Sequence, residues 1–381
     1  MAETEIYLDN NATTKPYKEV VEKVIQVMGA GFGNPSSSHS AGQRARTHID
    51  EARIKLSNLL GCNASKLVFT SSGTESNNMA FYSSYRDNRE KCRIITSTVE
   101  HSSIRKMCSF LEINGVEIIY LDVSPGGYVD ISKLEKLLNE KCVSLVSIQW
   151  VNNETGVIQP VKEIGKICRA KGVLFHTDAA QAVGKMDMHL SDMPVDLLSI
   201  TGHKFNSPQG VGAIYANNKL NLNPVMFGGF QEDHFRPGTE NVPGIAGMGK
   251  AAEIRKKNMG AFLKKMTVLR DLFDNRVQAA VSCAQINGDI SNRICNTTNI
   301  RFSGIDGRKL LARLDNVGIR CSQSSACTNS SPDPSFVLLS MGLTPEQAYS
   351  SIRFSFSPDN TEEEIETVVS YLNKFCMELK H

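Results

Sequence analysis

The sequence predicts an α/β fold, in which a large domain with a mostly parallel β-sheet precedes a smaller α+β domain at the C-terminal end. Short apolar runs, as at residues 66–70, 93–97 and 143–150, alternate with segments of helical periodicity. Strands buried on both faces have this continuous apolar character, because helices cover a parallel sheet on both sides. Polar residues follow these runs directly. Since ligands bind beyond the carboxyl ends of parallel strands, we expect a functional site at that edge of the sheet.

The composition is that of an ordinary soluble globular protein. The chain has 381 residues, 41% hydrophobic and 22% charged, which is enough for a large core and two domains. Lys and Arg (42) nearly balance Asp and Glu (40), so nothing predicts direct nucleic-acid binding. No apolar run is long enough to cross a bilayer, and residues 1–5 do not resemble a targeting segment. We therefore expect no membrane association and a cytoplasmic location.

The ten cysteines show no paired CxxC spacing. This pattern argues against a disulfide framework and against a structural metal site, so we expect no metal. Most of the cysteines are expected to be small buried apolar residues. Cys327 is expected to be the one clearly exposed cysteine, because residues 321–334 are small and polar and include two prolines. Such a segment predicts a flexible loop.

The first part of the chain is predicted to combine a short strand at 5–9, a polar loop at 10–14 and two helices. The loop between the helices, at 29–42, is long enough to suggest a function. The second helix is expected to end at Gly61. The apolar positions at helical spacing are Val20, Val21, Val24, Val27 and Met28 in the first helix and Ala45, Ile49, Ala52, Leu56 and Leu59 in the second.

A phosphate-binding turn is predicted after the strand at 66–70. Residues 71–78 contain hydroxyl side chains and Gly73 and lead into a helix. Backbone N–H groups converge at a helix N-terminus, which carries a partial positive charge, so the turn suits a phosphate. The alternative is a Ser or Thr N-cap without a ligand.

Further strands and helices alternate after this turn. Strands are predicted at 93–97, 116–120, 143–150, 172–176 and 195–200. The sequence Ser132-Lys-Leu-Glu135 predicts a capping box that begins a helix, and residues 161–171 predict another helix. Residues 211–215 predict an antiparallel edge strand. The C-terminal part is predicted to contain a helical stretch at 243–283, strands at 299–302 and 351–356, and helices at 308–314 and 361–379.

Lys204 is the residue that points most directly to chemistry. It follows a predicted strand and Gly202, beside the imidazole of His203. A lysine that is partly desolvated in such a crevice favours its charged form less and becomes a nucleophile able to form a Schiff base, the chemistry of pyridoxal phosphate (PLP). The fold should bring it together with other polar residues that follow strands: His101, Asn153, Asp178 and Gln181.

Several motifs occur together along nearly the whole chain: Tyr7-Leu-Asp-Asn-Asn-Ala-Thr-Thr14, Thr70-Ser-Ser-Gly-Thr-Glu-Ser76, Glu100-His101, Val151-Asn-Asn-Glu154, Thr177-Asp-Ala-Ala-Gln181, Gly202-His-Lys204, Arg236-Pro-Gly-Thr239, Ser325-Ala-Cys-Thr328 and Ser351-Ile-Arg-Phe354. In these the chain resembles cysteine desulfurases of the NifS/IscS type, fold-type I PLP-dependent transferases related to class V aminotransferases. The resemblance implies a large domain (16–255) with a sheet of the seven-stranded type, and a small domain (1–15 and 256–381) that carries the mobile loop of Cys327. It also implies a homodimer.

The resemblance assigns a role to each site residue. Lys204 forms the internal aldimine with PLP and moves protons, and the Cys327 thiolate takes sulfur from L-cysteine, leaving a persulfide and L-alanine. The remaining roles concern binding. Around the cofactor ring, His101 stacks on the pyridine ring, Asp178 pairs with the ring nitrogen and Gln181 binds the phenolic oxygen. The substrate carboxylate is bound by Asn153 and Arg353, and the phosphate is held by Gly73, Thr74, Thr201 and His203 together with Thr239 of the other subunit.

Some features leave alternatives open. Phe230 and the pair Asp233-His234 depart from the family pattern, which makes the contacts between subunits less secure. The sulfur acceptor is expected to be a protein of iron–sulfur assembly, with tRNA thiolation and DNA phosphorothioation as alternatives. Another class V PLP enzyme, such as an aminotransferase or selenocysteine lyase, is the nearest alternative function, and a non-catalytic scaffold is a more distant one.

Overall fold

The computed structural model describes residues 5–87, 93–140, 142–219, 222–323 and 333–380. Its described strands form a seven-stranded, a three-stranded and a two-stranded sheet. The strands are β1 Ile6–Tyr7, β2 Leu67–Thr70, β3 Arg93–Ser97, β4 Glu117–Leu121, β5 Leu145–Ser147, β6 Leu174–Asp178, β7 Leu197–Thr201, β8 Gly212–Ala216, β9 Ala284–Ile286, β10 Thr297–Phe302, β11 Ile319–Arg320 and β12 Ser351–Ser355.

Helices separate most of these strands, as the alternating sequence pattern predicts. Among the described residues, no helix has both the length and the apolar character needed to cross a bilayer. The helices are α1 Lys18–Gly29, α2 Ser40–Leu60, α3 Gly73–Asp87, α4 Ser102–Ile113, α5 Ile131–Glu140, α6 Val161–Ala170, α7 Val242–Ala280, α8 Gly307–Asn316, α9 Phe336–Ser340, α10 Pro345–Tyr349 and α11 Glu362–Leu379.

The large sheet has the strand order β2-β8-β7-β6-β5-β3-β4. The pairings from β7 to β4 are parallel, whereas β8 runs antiparallel to both β2 and β7. The prediction of an antiparallel strand at 211–215 is therefore confirmed, but its placement at the edge is wrong. Because β8 reverses direction between two neighbours, β2 and β7 point the same way and end at the same edge of the sheet.

Helices cover both faces of this sheet. Ile94 and Ile95 are adjacent in β3 and fully buried, yet they belong to different hydrophobic clusters, because successive side chains of a strand point to opposite faces. Ile95 shares its cluster with residues of α2 and α7, whereas Ile94 packs with residues of α3 and α4. The continuous apolar character of the predicted strands reflects this burial on two sides.

Two local predictions are wrong, and each has a specific cause. The run at 143–150 predicts one long strand, but β5 covers only Leu145–Ser147. Beyond Ser147 the bonds to β6 continue, since Ile148 and Trp150 donate to the carbonyl oxygens of His176 and Asp178. The backbone N–H of Gln149 instead donates to the carboxylate of Glu100, at 3.0 and 3.1 Å, and not to β3. The capping box predicted at Ser132 does not form, since Asp130 Oδ1 accepts from the backbone N–H of Lys133 at 3.0 Å and α5 begins before Ser132.

A second core lies in the C-terminal part. It joins the later portion of α7 to β10, β12, α8 and α11, with Phe273 and Phe354 4.8 Å apart between ring centroids. The N-terminal strand belongs to this region, since Ile6 pairs with Ile319 of β11. α7 contributes to both cores, because Met248 packs in the first and Phe273 in the second. The domain boundary after residue 255 stays a prediction.

Candidate functional site

A cavity of about 190 Å³ lies where β2, β6 and β7 end. The structure places together there every site residue predicted from the sequence except Thr239 and Cys327. The residues that line the cavity are Asn11, Ala12, Ser72, Gly73, Thr74, Asn77, His101, Ser103, Gln149, Val151, Asn153, Asp178, Ala180, Gln181, Thr201, His203, Lys204 and Arg353.

The turn after β2 forms one wall of the cavity. Ser72 Oγ accepts from the backbone N–H of Glu75 at 3.2 Å, so Ser72 caps α3. Ser72, Gly73 and Thr74 also line the cavity, at the N-terminus of a helix of 15 residues. The N-cap and the phosphate-binding turn are thus compatible interpretations of one motif. A Cβ atom on Gly73 would lie 3.3 Å from Thr201 Cβ, so a side chain at Gly73 would crowd the end of β7.

Gly212, at the start of β8, separates this turn from the end of β7. A Cβ atom built on Gly212 would lie 2.7 Å from the carbonyl oxygen of Ile200 and 2.7 Å from the carbonyl carbon of Ser72. Both obstacles are backbone atoms, which cannot rotate away as a flexible side chain would. Only glycine therefore fits between the turn that begins α3 and the strand that leads to Lys204.

A hydrogen-bonded chain joins Asp178 to His101 across the floor of the cavity. Asp178 Oδ2 accepts from Asn77 Nδ2 at 2.8 Å, and Asn77 Nδ2 also donates to Ser103 Oγ at 2.9 Å. His101 Nδ1 lies 2.9 Å from Ser103 Oγ and accepts from the backbone N–H of Ser103 at 3.2 Å. Since a backbone N–H can only donate, neutral His101 carries its proton on Nε2. The pattern of residues after strands did not predict Asn77 or Ser103.

Lys204 ends a short helical turn, Gly202–Lys204, directly after β7. Its Nζ donates to the carbonyl oxygens of Asn11, at 2.6 Å, and Ala12, at 2.7 Å. The N-terminal loop at 10–14 therefore belongs to the site. Two features of the sequence mark this loop: polar residues after a short strand, and the motif Tyr7-Leu-Asp-Asn-Asn-Ala-Thr-Thr14.

Two ionisable groups next to these residues, the partly buried His203 and the buried Glu100, have pKa values shifted toward their uncharged forms. Burial, and then the positive charges of Lys204 and Lys185, lower the pKa of His203 to about 3. Burial raises the pKa of Glu100, which accepts from Ser97 Oγ at 2.6 Å, to about 8. Neutral His203 can accept or donate a hydrogen bond, and its Nδ1 lies 3.1 Å from Thr13 Oγ1.

Arg353, in β12, brings the C-terminal region to the cavity and is 1% exposed. Its Nη1 donates to the carbonyl oxygen of Asn153 at 3.1 Å, and its Nη2 donates to Asp9 Oδ1 at 2.6 Å. Asp9 Oδ2 accepts from Ser322 Oγ at 2.8 Å. Arg353 Nε has no hydrogen-bond partner among the described residues. Asp9, like Asn77 and Ser103, was not predicted from the sequence as a site residue.

Thr239 lies apart from the Lys204 cavity of its own chain. It lines a separate cavity of about 160 Å³ with Arg236 and Glu240. Arg236 Nε donates to Glu75 Oε1 at 3.0 Å, which ties the segment of Thr239 to the first turn of α3. Thr239 can therefore contact a bound phosphate only if that phosphate belongs to another chain or if the segment moves.

Cys327 lies outside the described residues, as do its immediate neighbours at 324–332. Among the described cysteines, Cys108, Cys168, Cys295 and Cys376 are buried, as predicted. Cys142 is exposed, so the expectation that Cys327 alone has an exposed setting is wrong. A short polar segment between a helix and a strand carries Cys142 at the surface. Cys321 is partly buried, and burial raises the pKa of its thiol above the usual range.

Residues 6–368 match the family described as aminotransferase class-V. The chain belongs to this family. A cysteine desulfurase of Trichormus azollae is 42% identical over 375 residues, which cover 98% of this chain and 94% of that protein. A cysteine desulfurase IscS of Dictyoglomus turgidum is 41% identical over 99% of this chain and 95% of that protein. A solved structure of a NifS-like protein superposes with a TM-score of 0.92 at 34% identity, covering 99% of this chain and all of that chain (100%).

Members of this class V family use PLP, and the residues of the cavity fit that cofactor. Lys204 would supply the amine that reacts with the aldehyde, and Asp178 a carboxylate that pairs with the pyridine nitrogen. Thr74 and the N-terminus of α3 supply donors for a phosphate. Asn77 Oδ1 is buried at the cavity without a hydrogen-bond partner among the described residues, as expected of a site that a polar ligand completes.

Proposed function

We propose that the chain removes sulfur from L-cysteine at the Lys204 cavity and delivers it, as a persulfide on Cys327, to an acceptor protein. The chain is a PLP-dependent cysteine desulfurase of the class V family, which follows from its 42% and 41% identity over nearly full length to cysteine desulfurases. The observation that carries the assignment to this cavity is the convergence of Lys204, Asp178 and Arg353 on one space.

Lys204 and Asp178 act at opposite parts of the cofactor. When bound, PLP withdraws electrons from the substrate α-carbon, because its protonated ring is an electron sink. Asp178 keeps the ring nitrogen protonated, and Asn77 and the backbone N–H of Ala180 hold the carboxylate in place at 2.8 and 2.9 Å. Lys204 exchanges protons with the substrate carbon from its position beside the Asn11 and Ala12 carbonyl oxygens.

Arg353 and Asn153 bind the substrate carboxylate. A guanidinium is planar and has donors that match a carboxylate in pairs. Arg353 is held by Asp9 and by the carbonyl oxygen of Asn153, so little rotamer freedom is lost when the substrate binds. The side chains of Asn153 and Arg353 line the same cavity as Lys204, which positions the amino acid between the arginine and the lysine.

Cys327 accepts the sulfur. Its thiolate forms a bond to the substrate sulfur, the bond between that sulfur and the substrate β-carbon breaks, and protonation of the carbon product gives alanine. Described residues on both sides of 324–332 contact groups next to residues that line the cavity. Ser322 donates at 2.8 Å to Asp9, the partner of Arg353, and Ser335 donates at 2.5 Å to the buried Glu154, which follows Asn153. These contacts support the assignment of Cys327 as the acceptor.

The protein is proposed to be a homodimer in which Thr239 of one subunit completes the phosphate site of the other. Thr239 lies outside the cavity of its own chain, which supports this arrangement. Phe227 and Phe230, in the same loop region, are both 79% exposed, and exposed aromatic residues are typical of interfaces. A sulfur acceptor of iron–sulfur assembly, tRNA thiolation or DNA phosphorothioation and a cytoplasmic location stay predictions.

Mass spectrometry tests the proposal most directly. Wild-type protein exposed briefly to L-cysteine should carry one added sulfur on the peptide that contains Cys327. Cys327→Ser should bind PLP normally but form neither persulfide nor catalytic amounts of alanine, because a hydroxyl is a poor nucleophile toward sulfur. Cys142→Ser is the control, since Cys142 is an exposed cysteine elsewhere in the chain, and it should keep full activity. An active Cys327→Ser enzyme would refute the assignment of the nucleophile.

A further inference from the structure

A second lysine lies buried beside the cofactor cavity. Lys185 is 2% exposed and does not line the cavity. Its Nζ donates to Gln181 Oε1 at 2.5 Å and to Asn11 Oδ1 at 3.1 Å. Moving an amine from water into the protein interior costs free energy unless it forms hydrogen bonds there. The groups that Lys185 contacts should therefore explain why it is buried.

The contacts of Gln181 determine which end of its amide faces the cavity. Its Oε1 faces the N–H donors of Lys185, and its Nε2 donates to the carbonyl oxygen of Asn11 at 3.0 Å. A carbonyl oxygen can only accept, so the two contacts agree on one orientation of the amide. Nε2 carries two hydrogens, and after the bond to Asn11 one remains for a ligand in the cavity.

We propose that Lys185 is a positioning residue, which fixes the Gln181 side chain so that an N–H group, and not the amide oxygen, meets the phenolic oxygen of bound PLP. The inference rests on the proposed function and on the contact with the phenolic oxygen that the family resemblance implies for Gln181. Without a donor at position 185, Gln181 Oε1 would lose its buried partner, and only the bond from Nε2 to the Asn11 carbonyl oxygen would still oppose rotation of the amide by half a turn. Its oxygen would then face an oxygen of the cofactor, which is repulsive.

Lys185 can perform this role whether or not it is charged. Burial, and then the charge of Lys204, lower the pKa of Lys185 well below its usual range. The other charged or ionisable groups that face it are Cys295, Arg255 and Arg353. Both the neutral amine and the ammonium have at least two N–H donors, which is the number that Gln181 and Asn11 accept.

The orientation of Gln181 has a spectroscopic consequence. A hydrogen bond donated to the phenolic oxygen stabilises the form of the cofactor that carries no proton there, and so lowers the pH at which the visible absorption of bound PLP changes. Loss of the donor should raise that pH. The measurement requires no turnover, because it follows the absorption of bound PLP without substrate.

A double-mutant cycle separates positioning from a general structural role. Lys185→Met and Gln181→Leu should each raise the midpoint of the spectroscopic pH titration by about one unit, the scale of a single lost hydrogen bond. The double variant should match Gln181→Leu, because Lys185 acts only through Gln181. An unchanged midpoint in Lys185→Met, or additive shifts in the double variant, would overturn the proposal.

Cys295→Ala is the control for lost packing. Cys295 Sγ donates to the carbonyl oxygen of Lys185 at 3.5 Å, so the substitution disturbs the same place but leaves both Nζ bonds intact. It should lower the melting temperature without moving the midpoint, and an equal midpoint shift would contradict positioning. If Lys185→Met does not fold, Lys185→Leu, which also lacks an N–H donor, carries the same expectation. A wild-type protein that binds no PLP would instead refute the proposed function.

Discussion

Asp9 and Arg353 form a buried ion pair, with 2.6 Å between Oδ1 and Nη2. The second carboxylate oxygen of Asp9 accepts from Ser322, which precedes the segment of Cys327. One carboxylate therefore connects the arginine proposed to bind the substrate with the base of the loop proposed to carry the sulfur. This connection predicts that Asp9 affects both substrate binding and sulfur transfer.

Asp9→Ala should raise the KM for cysteine by about tenfold and lower the free energy of unfolding by roughly 3 kcal/mol, because a buried charge loses its partner. Asp9→Asn is the matched variant. It keeps an acceptor for Arg353, and its effect on KM should be smaller. Steady-state kinetics and denaturant titration measure both quantities. An unchanged KM in Asp9→Ala would show that Arg353 needs no support from Asp9.

Asp178→Asn should retain much of the bound PLP and lose at least about a hundredfold in turnover, because a neutral amide cannot hold the ring nitrogen protonated. The amide fits the same space and can still accept from Asn77. PLP content after gel filtration and the rate of alanine production should be measured on the same preparation. Near-normal alanine production would assign Asp178 a different role.

The dimer prediction can be tested by complementation between two defective subunits. Lys204→Ala should abolish PLP attachment, and Thr239→Val should weaken phosphate binding, so each homodimer should be poorly active at limiting PLP. If Thr239 acts across the interface, a mixed dimer has one intact site and should recover about half of the wild-type activity. No recovery in a verified mixed dimer, or a monomeric mass with full activity, would argue against a shared site.

His176 should make the stability of the protein depend on pH. It is fully buried between the hydroxyl groups of Ser147 and Ser199, at 2.8 and 2.9 Å, and burial lowers its pKa to about 4. The unfolded chain binds a proton near pH 6.5, whereas the folded chain does not until about pH 4. The contribution of His176 to stability is therefore present above pH 6.5 and decreases as the pH falls toward 4.

The corresponding measurement compares wild type with His176→Gln by denaturant titration at several pH values. Between pH 6.5 and 4, the stability of wild type relative to the variant should fall by roughly 1.4 kcal/mol per pH unit. Groups common to both proteins, such as Glu100 with its opposite slope, cancel in the difference. His189→Gln replaces an exposed histidine and is the control. If the difference does not vary with pH, folded His176 must take up a proton near pH 6.5, as the unfolded chain does, and its pKa is not lowered.

The sequence predicted the site residues that immediately follow strands. Asp178 and Lys204 belong to this group, because the end of a buried strand is a local pattern and the sheet brings such ends together. It did not predict Asn11, whose carbonyl oxygen accepts from Lys204 although the two residues are 193 positions apart. Lys185 and Asp9 were missed for the same reason. Asp9 pairs with Arg353, 344 positions away, and Lys185 donates to Asn11, 174 positions away, although its other partner Gln181 is only four positions away.

The errors in the fold prediction also come from information that is not local. Residues 211–215 show that a strand is present, but nothing in them shows whether it pairs on one side or on both. The pattern at Ser132 fits a capping box, yet Asp130, two residues earlier, supplies the cap that forms. In the run at 143–150, the backbone N–H of Gln149 donates to the carboxylate of Glu100 and not to a neighbouring strand. Nothing in the run itself indicates this contact, because Glu100 lies 49 positions earlier in the chain.

The absence of a side chain at Gly212 has a consequence for the size of the molecule that the site can hold. Gly212 in β8, which lies between β2 and β7, allows the turn that begins α3 to approach the end of the strand that leads to Lys204. The packing of these three strands therefore determines the distance between Lys204 and the N-terminus of α3. A ligand held at both points is expected to match that distance, so the sheet constrains the length of the molecule that binds.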